Sequence, residues 1–312
     1  MAPVTQPLVA KALTKKFGDF TAVAGIDLTV EPGQTFGVLG PNGAGKSSTM
    51  KMVSSVSPRT SGELHVFGLD PDIDGRQVRN RLGVVPQEDI LDMDLTAREN
   101  LMIYQRYFGI ARRQTRAKAD QLLEFMQLGD RGDSKVDALS GGMKRRLTIA
   151  RSLVNDPEMI LLDEPTTGLD PQARHLLWER LYRLKEQGVT LLLTTHYMDE
   201  AEQLADRLVI MDNARIVAEG SPAELISSHT TREVVELRFD DGEHDAAQLA
   251  PVAQQAGLRV DELPDRHLVY ADDGDALIAH LRDQGVRPLG TYVRRSSLED
   301  VFLRLTGRSL VE

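Results

Sequence analysis

Hydrophobic runs of two kinds alternate along the chain. MILLD (Met159–Asp163) and VTLLLTT (Val189–Thr195) carry no polar alternation, the pattern of strands buried on both faces of a parallel sheet. They predict strands over Met159–Leu162 and Thr190–Thr194, and Ile26–Val30, Thr35–Leu39, Gly83–Val85 and Arg207–Met211 read the same way, giving an α/β core. Between Gln87 and Leu153 the apolar spacing is mostly helical. There TAREN sets Thr96 and Glu99 at capping-box spacing and opens a helix running through Phe108. A helical insert over about residues 90–153 therefore interrupts the core.

After SPAELISSH the character changes. From Arg232 onward the order reads strand VVELRF, helix AAQLAPVAQQ, strand LRVDEL, strand HLVYA, helix DALIAHLRDQ and strand GTYVRR. That β-α-β-β-α-β order predicts a small ferredoxin-like α+β domain. A last helix, SSLEDVFLRLTG, follows with Ser296 and Glu299 as its expected cap pair. The expected domains are residues 1–228 and 229–312.

Composition narrows the function classes. Hydrophobic residues make up 41% and charged residues 27% of the 312, an ordinary balance for a soluble globular protein. The net charge of −10 leaves no basic surplus to displace counterions, which argues against a nucleic-acid partner. There are no cysteines, so disulfides, thiolate catalysis and thiolate metal sites are excluded. The start, MAPVTQPLVAKALTKKF, has no apolar core of signal-peptide length. No apolar run approaches the roughly 20 residues of a membrane-spanning helix. Any membrane connection is expected through another chain.

Chemistry enters at Gly40-Pro41-Asn42-Gly43-Ala44-Gly45-Lys46-Ser47, which matches the P-loop pattern and follows the strand TFGVL. The glycines let backbone N–H groups turn inward on phosphates where a Cβ would clash. Lys46 brings a positive charge to the β- and γ-phosphates, and the Ser47 hydroxyl is a hard-oxygen ligand for Mg2+. ATP or GTP binding follows.

Asp163 and Glu164 close the run MILLDE at a strand end, where ligand sites of open α/β sheets form. Asp163 suits Mg2+; Glu164 suits polarising the attacking water. His196 ends the next apolar strand and is placed to contact the γ-phosphate and keep Glu164 in register. Gln87, in GVVPQED, is an amide that can reach Mg2+ or the water. Taken singly, an Asp-Glu pair, a histidine or a loop glutamine has an ordinary structural reading; the preceding P-loop shifts the balance.

A second phosphate-facing helix start, LSGGMKRRLTIARSL (Leu139–Leu153), alone reads as a glycine-containing N-cap. The run Lys144-Arg145-Arg146 reads as a solvated face with some interfacial use. Trp178, in HLLWERLYRL, reads as amphipathic-helix packing. Tyr104, Tyr107 and Phe108 read as packing within the insert ahead of partner contact. His229, His244, His267 and His280 show no metal-ligand spacing.

Together GPNGAGKSS, Gln87, LSGGM, MILLDE, GLDP and His196 resemble, in order, the ATP-binding subunit of an ABC transporter. LSGGMKRRLTIARSL, DEPTTGLDPQARHLLWERL and SSLEDVFLRLTG resemble its drug-resistance and nodulation-factor exporter branch. The resemblance implies two ATPase domains meeting head to tail, with Ser140, Gly141 and Gly142 contacting the γ-phosphate held by the partner's P-loop. It implies that Asp170, in GLDP, carries the state of one site to the other. It implies that Phe17 stacks on adenine, where tyrosine is commoner, and that the insert helps form a groove for a helix of the membrane subunit. Met143 and Ser48 stand where glutamine and threonine are usual, and neither change removes a needed phosphate donor.

The expected protein is thus a cytoplasmic ATPase subunit using ATP and Mg2+. It would dimerise with a second ATPase subunit, most simply a copy of itself, and lie peripherally on a separate permease that exports a drug-like, lipid-like or oligosaccharide substrate. An importer subunit shares the chemistry. A soluble ABC-type factor acting on ribosomes or DNA generally carries two cassettes or long coiled-coil insertions, and this chain shows neither. A P-loop phosphotransferase would pass phosphate to an acceptor other than water. For the C-terminal domain a dimerisation or regulatory role is expected.

Overall fold

A computed structural model describes residues 6–239 and 243–307. It divides into two units, Met1–Ser221 and Pro222–Glu312. The first unit runs β1 (Leu8–Phe17), β2 (Phe20–Val30), β3 (Thr35–Leu39), α1 (Lys46–Val53), β4 (Ser61–Val66), α2 (Gly75–Arg81) and β5 (Leu82–Val85). The insert follows as α3 (Ala97–Tyr107), α4 (Arg112–Phe125) and α5 (Gly141–Ser152). Then come β6 (Met159–Asp163), α6 (Pro171–Glu186), β7 (Thr190–Thr195), α7 (Met198–Leu204), β8 (Arg207–Asp212) and β9 (Arg215–Gly220).

The main sheet has the order β5-β6-β7-β3-β8-β9, parallel except for the β8–β9 pair. Every residue of β3 and β7 is buried, which is why their sequences are apolar without alternation. Register then aligns three strand ends: Leu39 pairs with Thr195, and Asp163 with Thr194. The segments that leave β3, β6 and β7 therefore start side by side, at the carboxyl edge where such sheets bind ligands.

A second, antiparallel sheet has the order β2-β1-β4. Its β1 and β4, like the main-sheet edge strand β9, are absent from the sequence reading, because LVAKALTKKF, SGELHV and RIVAEG expose much of their length and break the apolar runs with charge. In the insert the Thr96–Glu99 box forms as expected: Thr96 N donates to Glu99 Oε2 at 2.9 Å and Glu99 N to Thr96 Oγ1 at 3.2 Å. Leu101, Leu123, Met126 and Leu147 bury the insert helices against one another.

The second unit comprises α8 (Pro222–His229), β10 (Glu233–Arg238), α9 (Glu243–Ala256), β11 (Val260–Leu263), β12 (Arg266–Ala271), α10 (Gly274–Asp283), β13 (Gly290–Arg295) and α11 (Leu298–Thr306). Its antiparallel sheet has the order β11-β12-β10-β13, the ferredoxin-like arrangement, over a core including Val235, Leu237, Val269 and Leu281. Helix α8, assigned to the first domain in the sequence reading, falls in this unit, where Arg304 Nη1 donates to His229 O at 2.5 Å.

The last helix is capped one residue later than expected. Ser297 N donates to the Asp300 carboxylate at 2.8 Å, whereas the Ser296 hydroxyl is spent on Thr231 O at 2.6 Å. SSLED offers both spacings; Asp300 wins because Arg294 holds it in a buried bidentate pair. Among the described residues, no helix is long and apolar enough to cross a membrane.

Candidate active site

β3 ends in the buried Leu39 and the chain turns through Gly40–Gly45 directly into α1. Two glycines here are obligatory. A Cβ at Gly40 would sit 2.2 Å from Met211 O, and one at Gly45, whose φ is +106°, would sit 2.4 Å from Ala22 O. Ala44 N closes the turn on Pro41 O at 3.2 Å. The Lys46 side chain is only 4% exposed; its ammonium donates to Gly40 O at 2.7 Å and Pro41 O at 3.0 Å, and lies 3.4 Å from Glu164 Oε1. Burial pulls the Lys46 pKa down, and the Glu164 carboxylate opposes that pull.

The neighbouring strand ends supply the other groups. Asp163 Oδ1 accepts from Ser47 Oγ at 3.2 Å and from Thr194 Oγ1 at 2.5 Å. Glu164 Oε2 accepts from Gln87 Nε2 at 3.1 Å and from Thr167 Oγ1 at 3.3 Å, and His196 Nδ1 lies 3.3 Å from the same oxygen. Gly40 N donates to Thr195 O at 3.2 Å, tying the loop to the strand that delivers His196. Glu164 itself adopts a left-handed backbone, φ +46°. The fold thus brings Lys46, Ser47, Gln87, Asp163, Glu164 and His196 into one constellation.

The cleft beside them, about 360 Å³, is lined by Phe20, Asn42, Gly43, Lys46, Ser47, Ser48, Gln87 and Glu164, among others. Phe17 is not among its lining residues; it pairs with Phe20 across the β1–β2 turn, with Lys15 Nζ 4.7 Å from its ring centroid. Neither Ser140, Gly141 nor Gly142 lines this cleft. Ser140 caps α5, accepting from Met143 N at 3.3 Å, and Asp170 caps α6, accepting from Ala173 N at 2.8 Å. The two helix starts pack closely: a Cβ at Gly142 would meet the Ala173 Cβ at 3.0 Å.

Two polar residues near the site escaped the sequence reading. Arg145, expected on a solvated face, is 4% exposed and donates to the backbone carbonyls after β5 and β6, and burial lowers its pKa. The signal was its spacing, since Arg145 shares one helical face with the buried Thr148, Ile149 and Ser152. Arg146 likewise turns inward, donating to Met126 O at 2.8 Å. Glu200 on α7 is fully buried, which raises its pKa, and accepts from Trp178 Nε1 at 3.4 Å. Trp178 therefore packs as expected and also carries a polar contact. Of the insert aromatics, Tyr104 packs edge to face with both Tyr107 and Phe108, and Tyr107 is largely exposed.

A phosphate loop at the carboxyl edge of a parallel sheet, with carboxylates, a glutamine and a histidine on adjoining strand ends, defines an ATP-binding cassette. Residues 23–167 match the ABC transporter family model, and residues 245–307 match the model for the nodulation factor export protein NodI, C-terminal domain. The Nod factor export ATP-binding protein I of Burkholderia thailandensis is 46% identical over 305 residues, covering 97% of this chain and 98% of that protein. Its counterpart in Ralstonia nicotianae is 47% identical over 310 residues, covering 98% and 95%.

Among solved structures, the dimeric ATP-binding cassette MJ0796 in a post-hydrolysis state bound to ADP and Pi superposes with TM-score 0.63 at 27% identity, covering 69% of this chain and 98% of that one. CbiO1 of Clostridium perfringens, part of the ABC transporter complex cbiONQ, gives 0.67 at 25% identity over 72% and 91%. The chain belongs to the ATP-binding subunits of ABC transporters, within the family of the Nod factor export ATP-binding proteins. It binds ATP and hydrolyses it.

Proposed function

We propose that two copies of this chain close head to tail on ATP, the P-loop of each facing Ser140, Gly141 and Gly142 of the other, and that hydrolysis reopens them to drive a separate permease. The observation that carries this reading is the division of the phosphate-binding groups. Lys46, Ser47 and Glu164 line one cleft, and the glycine-led start of α5 lies off it. A γ-phosphate seated by Lys46 would then gain its remaining N–H donors, and the positive end of α5's dipole, from the second copy.

Within each half, Glu164 polarises the attacking water, held by Gln87, Thr167 and His196 around one oxygen. Lys46 offsets phosphate charge. Ser47 Oγ and Asp163 Oδ1, 3.2 Å apart, are hard oxygens suited to Mg2+, and the Gln87 amide is assigned to the same ion. Mg2+ there would supply charge neutralisation on the phosphates. Phe17 and Phe20 offer aromatic faces for adenine, and Asp170 at the start of α6 carries the state of one site toward the other.

The permease would sit on the groove of about 310 Å³ lined by Tyr104, Tyr107, Phe108 and Val84, holding the subunit at the cytoplasmic face of the membrane. The similarity to Nod factor export ATP-binding proteins supports export over import, and the exported molecule is assigned here to the drug-like, lipid-like or oligosaccharide class. The C-terminal unit is assigned a dimerising or regulatory part. Glu164→Gln tests the catalytic reading. It is expected to retain ATP binding, lose turnover by at least roughly 100-fold, and accumulate an ATP-bound dimer by size-exclusion chromatography; normal turnover would remove Glu164 from its role.

A further inference from the structure

We infer that Arg145 is a positioning residue for hydrolysis, setting the Glu164 backbone and the Gln87 loop together from the helix that begins at Ser140. The inference rests on the roles given above to Glu164 and Gln87.

The guanidinium reaches three successive carbonyls that begin at the last residue of β6. Nη2 donates to Asp163 O and Glu164 O, each at 3.1 Å, and Nε to Pro165 O at 2.7 Å. Its third nitrogen, Nη1, faces the other loop, donating to Pro86 O at 2.6 Å and to Gln87 O and Asp89 Oδ1 at 3.3 Å. A left-handed residue other than glycine persists only when its surroundings over-determine it. Glu164 meets that condition: its N–H is bound at Thr194 and its carbonyl at Arg145.

Only a planar fork of donors can serve both loops at once; a lysine ammonium is a single point of charge. Most of the fork's contacts are with neutral carbonyls, so its task is geometric more than ionic. Because Arg145 lies on the same helix as Ser140–Gly142, a shift of α5 on engaging the other copy's nucleotide would move both Gln87 and Glu164. Each site would thereby be adjusted by the occupancy of the other.

The test measures kcat, nucleotide affinity with a fluorescent ATP analogue, and thermal midpoint for the full chain carrying Arg145→Lys, Arg145→Ala or Glu164→Gln. For both Arg145 variants kcat is expected to fall roughly 10- to 100-fold, with nucleotide affinity within about twofold of the parent. Ethylguanidinium should restore part of the lost turnover in Arg145→Ala, and ethylammonium should not. If Arg145→Ala fails to fold, Arg145→Lys decides. Turnover near the parent value in Arg145→Lys, equal loss of kcat and affinity, or indifference to ethylguanidinium would overturn the inference. An inactive Glu164→Gln beside an active Arg145→Lys removes this inference alone. An active Glu164→Gln removes the reading beneath it.

Discussion

Phe17 and Phe20 are 54% and 62% exposed, a poor arrangement for large apolar rings unless another molecule covers them. Neither contributes to a hydrophobic core, so replacing them should affect binding and leave stability alone. Phe17→Ala and Phe20→Ala are each expected to weaken ATP binding by about 1–3 kcal/mol, with thermal midpoints unchanged. Isothermal titration paired with calorimetric melting checks both halves. At this scale the sequence pointed to the chemistry through order: Lys46 and Ser47 were legible from the P-loop pattern after β3, and Asp163, Glu164 and His196 because they stand at the ends of apolar strands. Arg145 and Glu200 were not, since charged residues are read as solvated unless their helical spacing is checked. Their partners are mostly backbone carbonyls and distant side chains, which leave no mark in local sequence.

Among elements, burial on both faces decided what could be read. β3, β6 and β7 announced themselves as uninterrupted apolar runs, and their register sets the ends of these strands side by side. The half-exposed β1 and β4 did not. The cap of α11 was misplaced by one residue because SSLED offers two overlapping boxes, and a tertiary contact from Arg294 chooses between them. The segments flanking β4 are joined by Arg59, whose guanidinium pairs with Asp70 at 2.6 Å and Asp72 at 2.9 Å. The hydrogen bond from Arg59 holds the Asp70 pKa down to about 2, from 3.8. A depressed carboxyl stabilises the fold above its unfolded pKa and loses that contribution as the folded form is protonated. Arg59→Met should therefore cost about 1 kcal/mol at neutral pH. The deficit should narrow as pH falls from 3.8 toward 2, measured as the difference in thermal midpoint across a pH series.

Over the whole molecule, the proposal gives the chemistry to the first unit and a dimerising or regulatory part to the second. Every residue assigned to ATP lies in Met1–Ser221. A chain ending at Ser221 is expected to bind ATP as the full chain does and to form the ATP-dependent dimer at higher protein concentration. Sedimentation of both forms carrying Glu164→Gln measures this; identical dimerisation would leave the C-terminal unit without its assigned part. The proposed head-to-tail arrangement comes from the sequence only by resemblance, because no spacing within one chain assigns Ser140–Gly142 to another chain's nucleotide.

That composite arrangement is tested most directly by ATP turnover per molecule across a dilution series, with particle mass recorded at each concentration. Specific activity is predicted to fall toward zero in step with the fraction of dimers, since dissociated chains lack half of each γ-phosphate site. Constant turnover per molecule among particles that are all monomeric would contradict it.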